Sequence, residues 1–233
     1  MKLLLAACLL LIILNANAQP KANYLDATVG VTKYQSAISF AWVHQWKVGK
    51  NQKLGIGVGA RLTSYLAANQ YYLTAPAELT SESTSPFIIF KDNITSNMDT
   101  VLVKSPQVNS INVSIHFTYP ITTKVSAGFN IDAIGFSFGG RQTGNYINGP
   151  FGKFVNASPT HFNILLISDN DRGSLNSEFY LRYVLNDSWG VKLGAQFLFT
   201  EYTTDSKVQL YPSENDRFRN KSLLLCMGVS LKL

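Results

Sequence analysis

The stretch DNDRGSLNSEFYLRYVLNDSWGVKLGAQFLFTEYTT (169–204) decides the fold. Its second half alternates. Trp189, Val191, Leu193, Ala195, Phe197 and Phe199 fall on one face, and Gly190, Lys192, Gly194, Gln196 and Thr200 fall on the other. A period of two describes a strand with unlike faces. Residues 175–185 read as a second strand, and NDS (186–188) is the tight turn between the two. The unit is a β-hairpin.

Outward from this hairpin the same pattern recurs. Strands are predicted at 23–34, 37–48, 53–66, 108–119, 124–138, 175–185, 189–202 and 221–233. Each reaches the roughly 9–11 residues that a tilted membrane strand requires. Residues 108–119 set Ile111, Val113, Ile115 and Phe117 against Ser110, Asn112, Ser114 and His116. Residues 125–133 set Val125, Ala127, Phe129, Ile131 and Ala133 against Ser126, Gly128, Asn130 and Asp132. The short connections are QSA (35–37), GKNQK (49–53), PITTK (120–124) and NDS (186–188). The long ones cover 67–107, 139–174 and 203–220. From GKNQK onward, tight turns and long loops alternate, so all the bulk collects at one end. This predicts an all-β fold, an eight-stranded antiparallel up-and-down transmembrane β-barrel with long extracellular loops.

A soluble barrel would place the apolar face inside and water on the other. The polar faces here decide against it. They carry Gly, Ser, Asn and Thr but few of the Lys and Glu that cover soluble surfaces. Small side chains suit the crowded interior of eight strands. On the apolar faces the charges are Lys33, Glu201 and Lys221, all at the loop-bearing end. A cation on the lipid face costs about 2–4 kcal/mol at the midplane but about 0–1 near the interface. His44 is expected on the lipid face between Trp42 and Trp46. Trp46, Tyr119, Tyr183 and Trp189 lie near tight turns, as an interfacial girdle does.

The first residues fit export. Lys2, the apolar run LLLAACLLLIIL (3–14) and Ala16-Asn17-Ala18 form a signal peptide, predicted as 1–18 and too short to span a bilayer. Leu5-Ala6-Ala7-Cys8 resembles a lipidation box, but Cys8 sits mid-run, and cleavage there would leave almost no apolar segment. The barrel domain is then 19–233, and loss of Lys2 takes the formal charge from +6 to +5. Cys226 is the single cysteine left, so no internal disulfide forms. No Lys/Arg cluster suggests nucleic acid.

The last strand, KSLLLCMGVSLKL (221–233), alternates to the C-terminus. With the signal ending ANAQ and eight hairpin-linked strands, the chain resembles the Bacteroidetes-type outer-membrane β-barrel proteins, related in architecture to OmpA/OmpX-like small barrels. It departs in ending on Leu233, where such barrels usually end in an aromatic. The resemblance implies the outer membrane of a Gram-negative bacterium after Sec-type export. It implies outer-membrane lipid or lipopolysaccharide and the barrel-insertion machinery as partners.

By parity, Asp26, Arg61, Asp132, Glu178, Arg182 and Lys192 face the lumen, three acids with three bases. Buried charges must pair, since each orphan costs several kcal/mol. The set reads as a plugging ion-pair network, with a selectivity network in a narrow channel as the alternative. For catalysis, His116 lies near Ser114, and His161 lies in a loop with Ser158, Ser168 and Asp169. No G-x-S-x-G, H-E-x-x-H or Cys–His spacing appears. A lipid-modifying enzyme therefore ranks third, and the expected role is non-enzymatic. Asp169, Asn170 and Asp171 begin like a calcium loop but lack its Gly and final acid, so neither metal nor cofactor is expected. The loop at 67–107 is read as a hairpin of PFIIF (86–90) with TVLVK (100–104). The loop at 139–174, with GGRQTGNYINGPFGKF and FNILLI, offers exposed Tyr146, Phe151 and Phe154 for a protein or glycan partner, or forms a lid.

Overall fold

The computed structural model describes residues 21–83, 91–148, 153–166 and 168–233. The expected signal peptide, PFIIF (86–90) and Phe151 lie outside them. The long strands are β1 (Lys21–Thr32), β2 (Gln35–Val48), β3 (Leu54–Ala67), β6 (Gln107–Pro120), β7 (Val125–Phe138), β11 (Leu175–Val184), β12 (Trp189–Thr204) and β13 (Arg217–Lys232). The short ones are β4 (Gln70–Thr74), β5 (Thr100–Val103), β8 (Gln142–Tyr146), β9 (Lys153–Pro159) and β10 (Phe162–Ile164). One helical turn, α1 (Ala77–Thr80), and 3₁₀ turns at Thr95–Asn97 and Ser168–Asn170 complete the described structure. All thirteen strands belong to one antiparallel sheet.

The long strands pair in chain order, β1 with β2, β2 with β3, β3 with β6, β6 with β7, β7 with β11, β11 with β12 and β12 with β13. β13 then pairs with β1, which returns the circuit to its start. A second circuit stands at the loop-bearing end. There β13 pairs with β4, β4 with β5, β5 with β8, β8 with β9 and β9 with β12. The β12–β13 ladder belongs to both circuits. The sheet narrows because the β1–β2 hairpin stops at Lys33-Tyr34 and β3 ends level with it at Ala67, while β13 runs on to Arg217 and pairs with β4. Bonds from Ala67 N to Pro106 O and from Asn69 N to Lys104 O carry the β3–β6 ladder into β4–β5.

Burial is inverted relative to a soluble domain. Leu25, Phe40, Val58, Leu62, Ile111, Phe129, Phe179, Leu193, Phe197 and Leu225 are exposed, while Asp26, Arg61, Asn112, His116, Asp132, Glu178, Lys192 and Gln196 are buried. Packing inside the long-strand circuit needs small residues at close approaches. A Cβ on Gly128 would overlap the Tyr180 ring. The apolar core sits instead in the narrow circuit, where Tyr72, Val101, Val103, Tyr146, Val155, Ala157, Tyr202 and Phe218 are buried together. Tyr72 and Tyr202 meet edge to face at 5.1 Å.

Three sequence expectations change. The first tight turn is Lys33-Tyr34, and QSA lies inside β2. Tyr34 takes φ 65°, a conformation that Gly or Asn normally advertises. The segments read as long loops carry five strands, and TVLVK pairs with β4 and β8. These strands are three to seven residues long, too short to show periodicity. Lastly, the face alternation of 125–133 breaks at Ala133, an extra residue between the pairs Ser114–Asp132 and Val113–Ile134. This bulge keeps Asp132 inward while Ile134, Phe136 and Phe138 are exposed.

Candidate functional site: the lumenal charge network and its cap

β1, β3, β7, β11 and β12 bring the lumenal charges together. The Arg61 guanidinium donates to Asp132 Oδ1 from Nε at 2.8 Å and from Nη2 at 2.6 Å. It also donates to Asn130 Oδ1 at 2.5 Å and to the Asn176 carbonyl, and lies 3.8 Å from Glu178. Asp132 accepts further bonds from the Asn112 amide at 2.7 Å and from Asn176 N at 2.9 Å. Lys192 Nζ donates to Asp26 at 3.0 Å and to Glu178 at 3.4 Å. Its ammonium also lies 4.3 Å from the Tyr180 ring centre. Five of the six named charges thus form one connected set. Arg182 stands apart, directly across the ladder from Lys192. No ion pair to Arg182 occurs among the described residues, and its guanidinium lies 4.8 Å over the Tyr24 ring.

Arg61, Asp132, Glu178 and Lys192 are each held by more than one partner, which offsets the cost of leaving water, whereas Asp26 is held by Lys192 through one oxygen. The amides that complete the set, Asn112, Asn130, Asn163 and Asn176, are all buried. Sequence reading placed Asn112 and Asn130 on the small polar faces of their strands, where inward parity beside the charges was the available signal, and left Asn163 in a long loop. The space left is slight. Beside Arg61 and Lys192 it is about 0 Å³, and beside His116 and Arg182 about 10 Å³. The latter matches about one water.

The histidines are separated. His116 is buried and bonded to Ser114 at 2.8 Å. His44 bonds Asn23 at 2.6 Å and lies between the rings of Trp42 and Trp46. His161 stands 3.3 Å from the Ser137 carbonyl. Among the described residues no group of three His, Cys, Asp or Glu is placed to hold a metal.

Of the loop candidates, Tyr146 is not exposed. It is 8% exposed, inside the apolar core of the narrow circuit, which forms a cap at the loop-bearing end, and its hydroxyl donates to Asp99. Burial, with the neighbouring Asp99 carboxylate, pushes its phenol well above the ordinary value. Phe154, from the adjacent strand, is 74% exposed. Alternation along β8 and β9 accounts for the difference. Of the three charges expected on the apolar faces, Lys33 lies 5.1 Å from the Tyr34 ring with no ion pair among the described residues, Glu201 is buried, and Lys221 is half exposed. Glu201 accepts from Arg217 at 2.8 Å and from Arg219 at 2.7 Å, and Lys221 donates to Asp169 at 2.5 Å. Asp171 accepts from Leu166 N at 2.6 Å, and burial raises its carboxyl above the usual range.

No protein-family model matches the chain, and no curated protein matches it. Among solved structures, Neisserial surface protein A aligns over 91% of this chain and 97% of its own, at 10% identity and TM-score 0.40. The Yersinia pestis outer membrane protein Ail, in a phospholipid bilayer nanodisc, aligns over 92% and 100%, at 8% identity and TM-score 0.39. The Ralstonia pickettii toluene transporter TbuX aligns over 85% and 68%, at 10% identity and TM-score 0.23.

Proposed function

We propose that the chain is an eight-stranded up-and-down β-barrel of a Gram-negative outer membrane, closed to solutes, acting in surface interaction or envelope integrity through its cap. The observation that carries the reading is the inverted burial. A belt of exposed Leu, Val, Ile and Phe encloses a paired ionic interior. Water tolerates neither arrangement well, whereas a bilayer favours the first and shelters the second. Closure is supported twice along the axis, by the Arg61–Asp132–Glu178–Lys192 set and by the apolar cap core. The non-enzymatic reading is supported by His116, which is sealed in the lumen with Ser114. The exposed face of the cap, with Phe154 at its edge, is the surface offered to a protein or glycan partner.

The test is heat-modifiability of protein taken from outer-membrane fractions, followed by planar-bilayer recording. The expected result is a compact unboiled band that shifts on boiling, with no steady conductance. A soluble protein without a shift would reverse the face assignment. Steady single-channel steps would favour the channel reading.

A further inference from the structure

A cavity of about 180 Å³ lies against β4 and β13, bordered by Tyr71, Leu73, Met98, Asp169, Arg219 and Lys221. It sits where the sheet narrows above the β1–β2 hairpin. Its height relative to the apolar belt is set by the register. Lys221 pairs with Phe199 across the ladder, its ammonium lies 5.8 Å from that ring, and Leu223 and Leu225 are exposed just below. The cavity therefore opens at the upper rim of the belt.

Its cations are arranged unusually. The Arg219 side chain is 2% exposed. Its Nη2 donates to Glu201 and to the Asp171 carbonyl. Its Nε and Nη1 have no hydrogen-bond partner among the described residues. The nearest carboxylate oxygen to Nη1, on Asp169, is 3.9 Å away. Idle N–H groups on a buried guanidinium are costly, and a planar fork is the natural partner of a phosphate. Lys221, half exposed, holds its ammonium beside the same Asp169. The ion pairs here join three cations, Arg217, Arg219 and Lys221, to two acids, Glu201 and Asp169. Asp171 is turned to Leu166 N. Asp171 also feels the charges of Arg219 and Lys221, so three cations face three acids, and the unpartnered donors of Arg219 are what the cluster offers a phosphate.

Resting on the membrane reading above, we propose that this cavity binds the phosphate of a lipid headgroup, with the acyl chains lying on Leu223 and Leu225. Arg219 supplies the buried donors and Lys221 the mobile charge at the mouth.

The test uses the full mature chain refolded into vesicles. Insertion is scored first by the gel shift, since a chain that does not insert refutes the membrane reading itself. Inserted protein is then extracted into mild detergent and offered dimyristoyl phosphatidic acid, dimyristoyl glycerol or inorganic phosphate, with bound species read by native mass spectrometry. Phosphatidic acid should be retained and dimyristoyl glycerol should not. Lys221→Gln should weaken retention about tenfold, the scale of one charge-assisted hydrogen bond, while Lys207→Gln in the distant loop should change nothing. Equal retention of both lipids, equal retention by Lys221→Gln, or binding of inorganic phosphate without the lipid would each overturn the proposal.

Discussion

At the scale of single residues, Arg61 holds the interior together. It bonds Asp132 twice, Asn130 once and the Asn176 carbonyl, and all are buried. Arg61→Ala leaves Asp132 with amide donors alone. Breaking a buried pair from one side costs about 3–5 kcal/mol. The expected outcome is a lower urea midpoint for unfolding from vesicles, with bilayer conductance still absent. An unchanged midpoint would mean that the network is loosely held, and new conductance would favour a gate over a plug. Gly128 makes an independent case. Because a Cβ there meets the Tyr180 ring, Gly128→Val overpacks the lumen, at about 1–3 kcal/mol in the same unfolding assay.

At the scale of elements, β12 shows how position along a strand sets the cost of a charge. Phe197 is exposed midway along β12 and pairs with Leu223. Phe197→Lys places an ammonium in the apolar belt, at about 2–4 kcal/mol near the midplane. It should abolish the heat-modifiable band. Thr203→Lys, six residues further on and beside Arg217, should insert normally. Normal insertion of both would mean that the faces are wrongly assigned. The eight long strands were legible because each offers 10 to 16 residues of alternation, enough repeats to fix both period and face. The lumenal charges followed from the same parity, but their partners did not: Glu178 and Lys192 sit on neighbouring strands, whereas Arg61 reaches Asp132 across β6 and Lys192 reaches Asp26 across β13, which strand order alone does not show. The cap was not legible. β4, β5 and β8 of four or five residues show no period, and their pairing depends on strands brought together from distant parts of the chain. Nor was the Ala133 bulge, which a sequence of alternating small and apolar residues does not announce.

At the scale of the whole molecule, two circuits share one ladder and have opposite interiors, ionic in the wide one and apolar in the narrow one. They are coupled through β12 and β13 but draw stability from different sources. On the membrane reading proposed above, the wall would draw on lipid and closed hydrogen bonding, whereas the cap depends on its own core. Tyr72 separates them, because β4 belongs to the cap alone. Its ring packs on Tyr202 and its hydroxyl bonds Thr200 at 3.1 Å. Tyr72→Ala removes a fully buried aromatic, at about 3–5 kcal/mol. That loss should fall on the cap. Protease added outside proteoliposomes should cut within 70–103 faster than in the parent chain, while the unboiled band stays compact. Conductance should remain absent, since the ionic set below the cap is intact. If the compact band were lost together with protease resistance, the two circuits would unfold as one unit, and the cap would be a structural part of the barrel instead of a separable surface for partners.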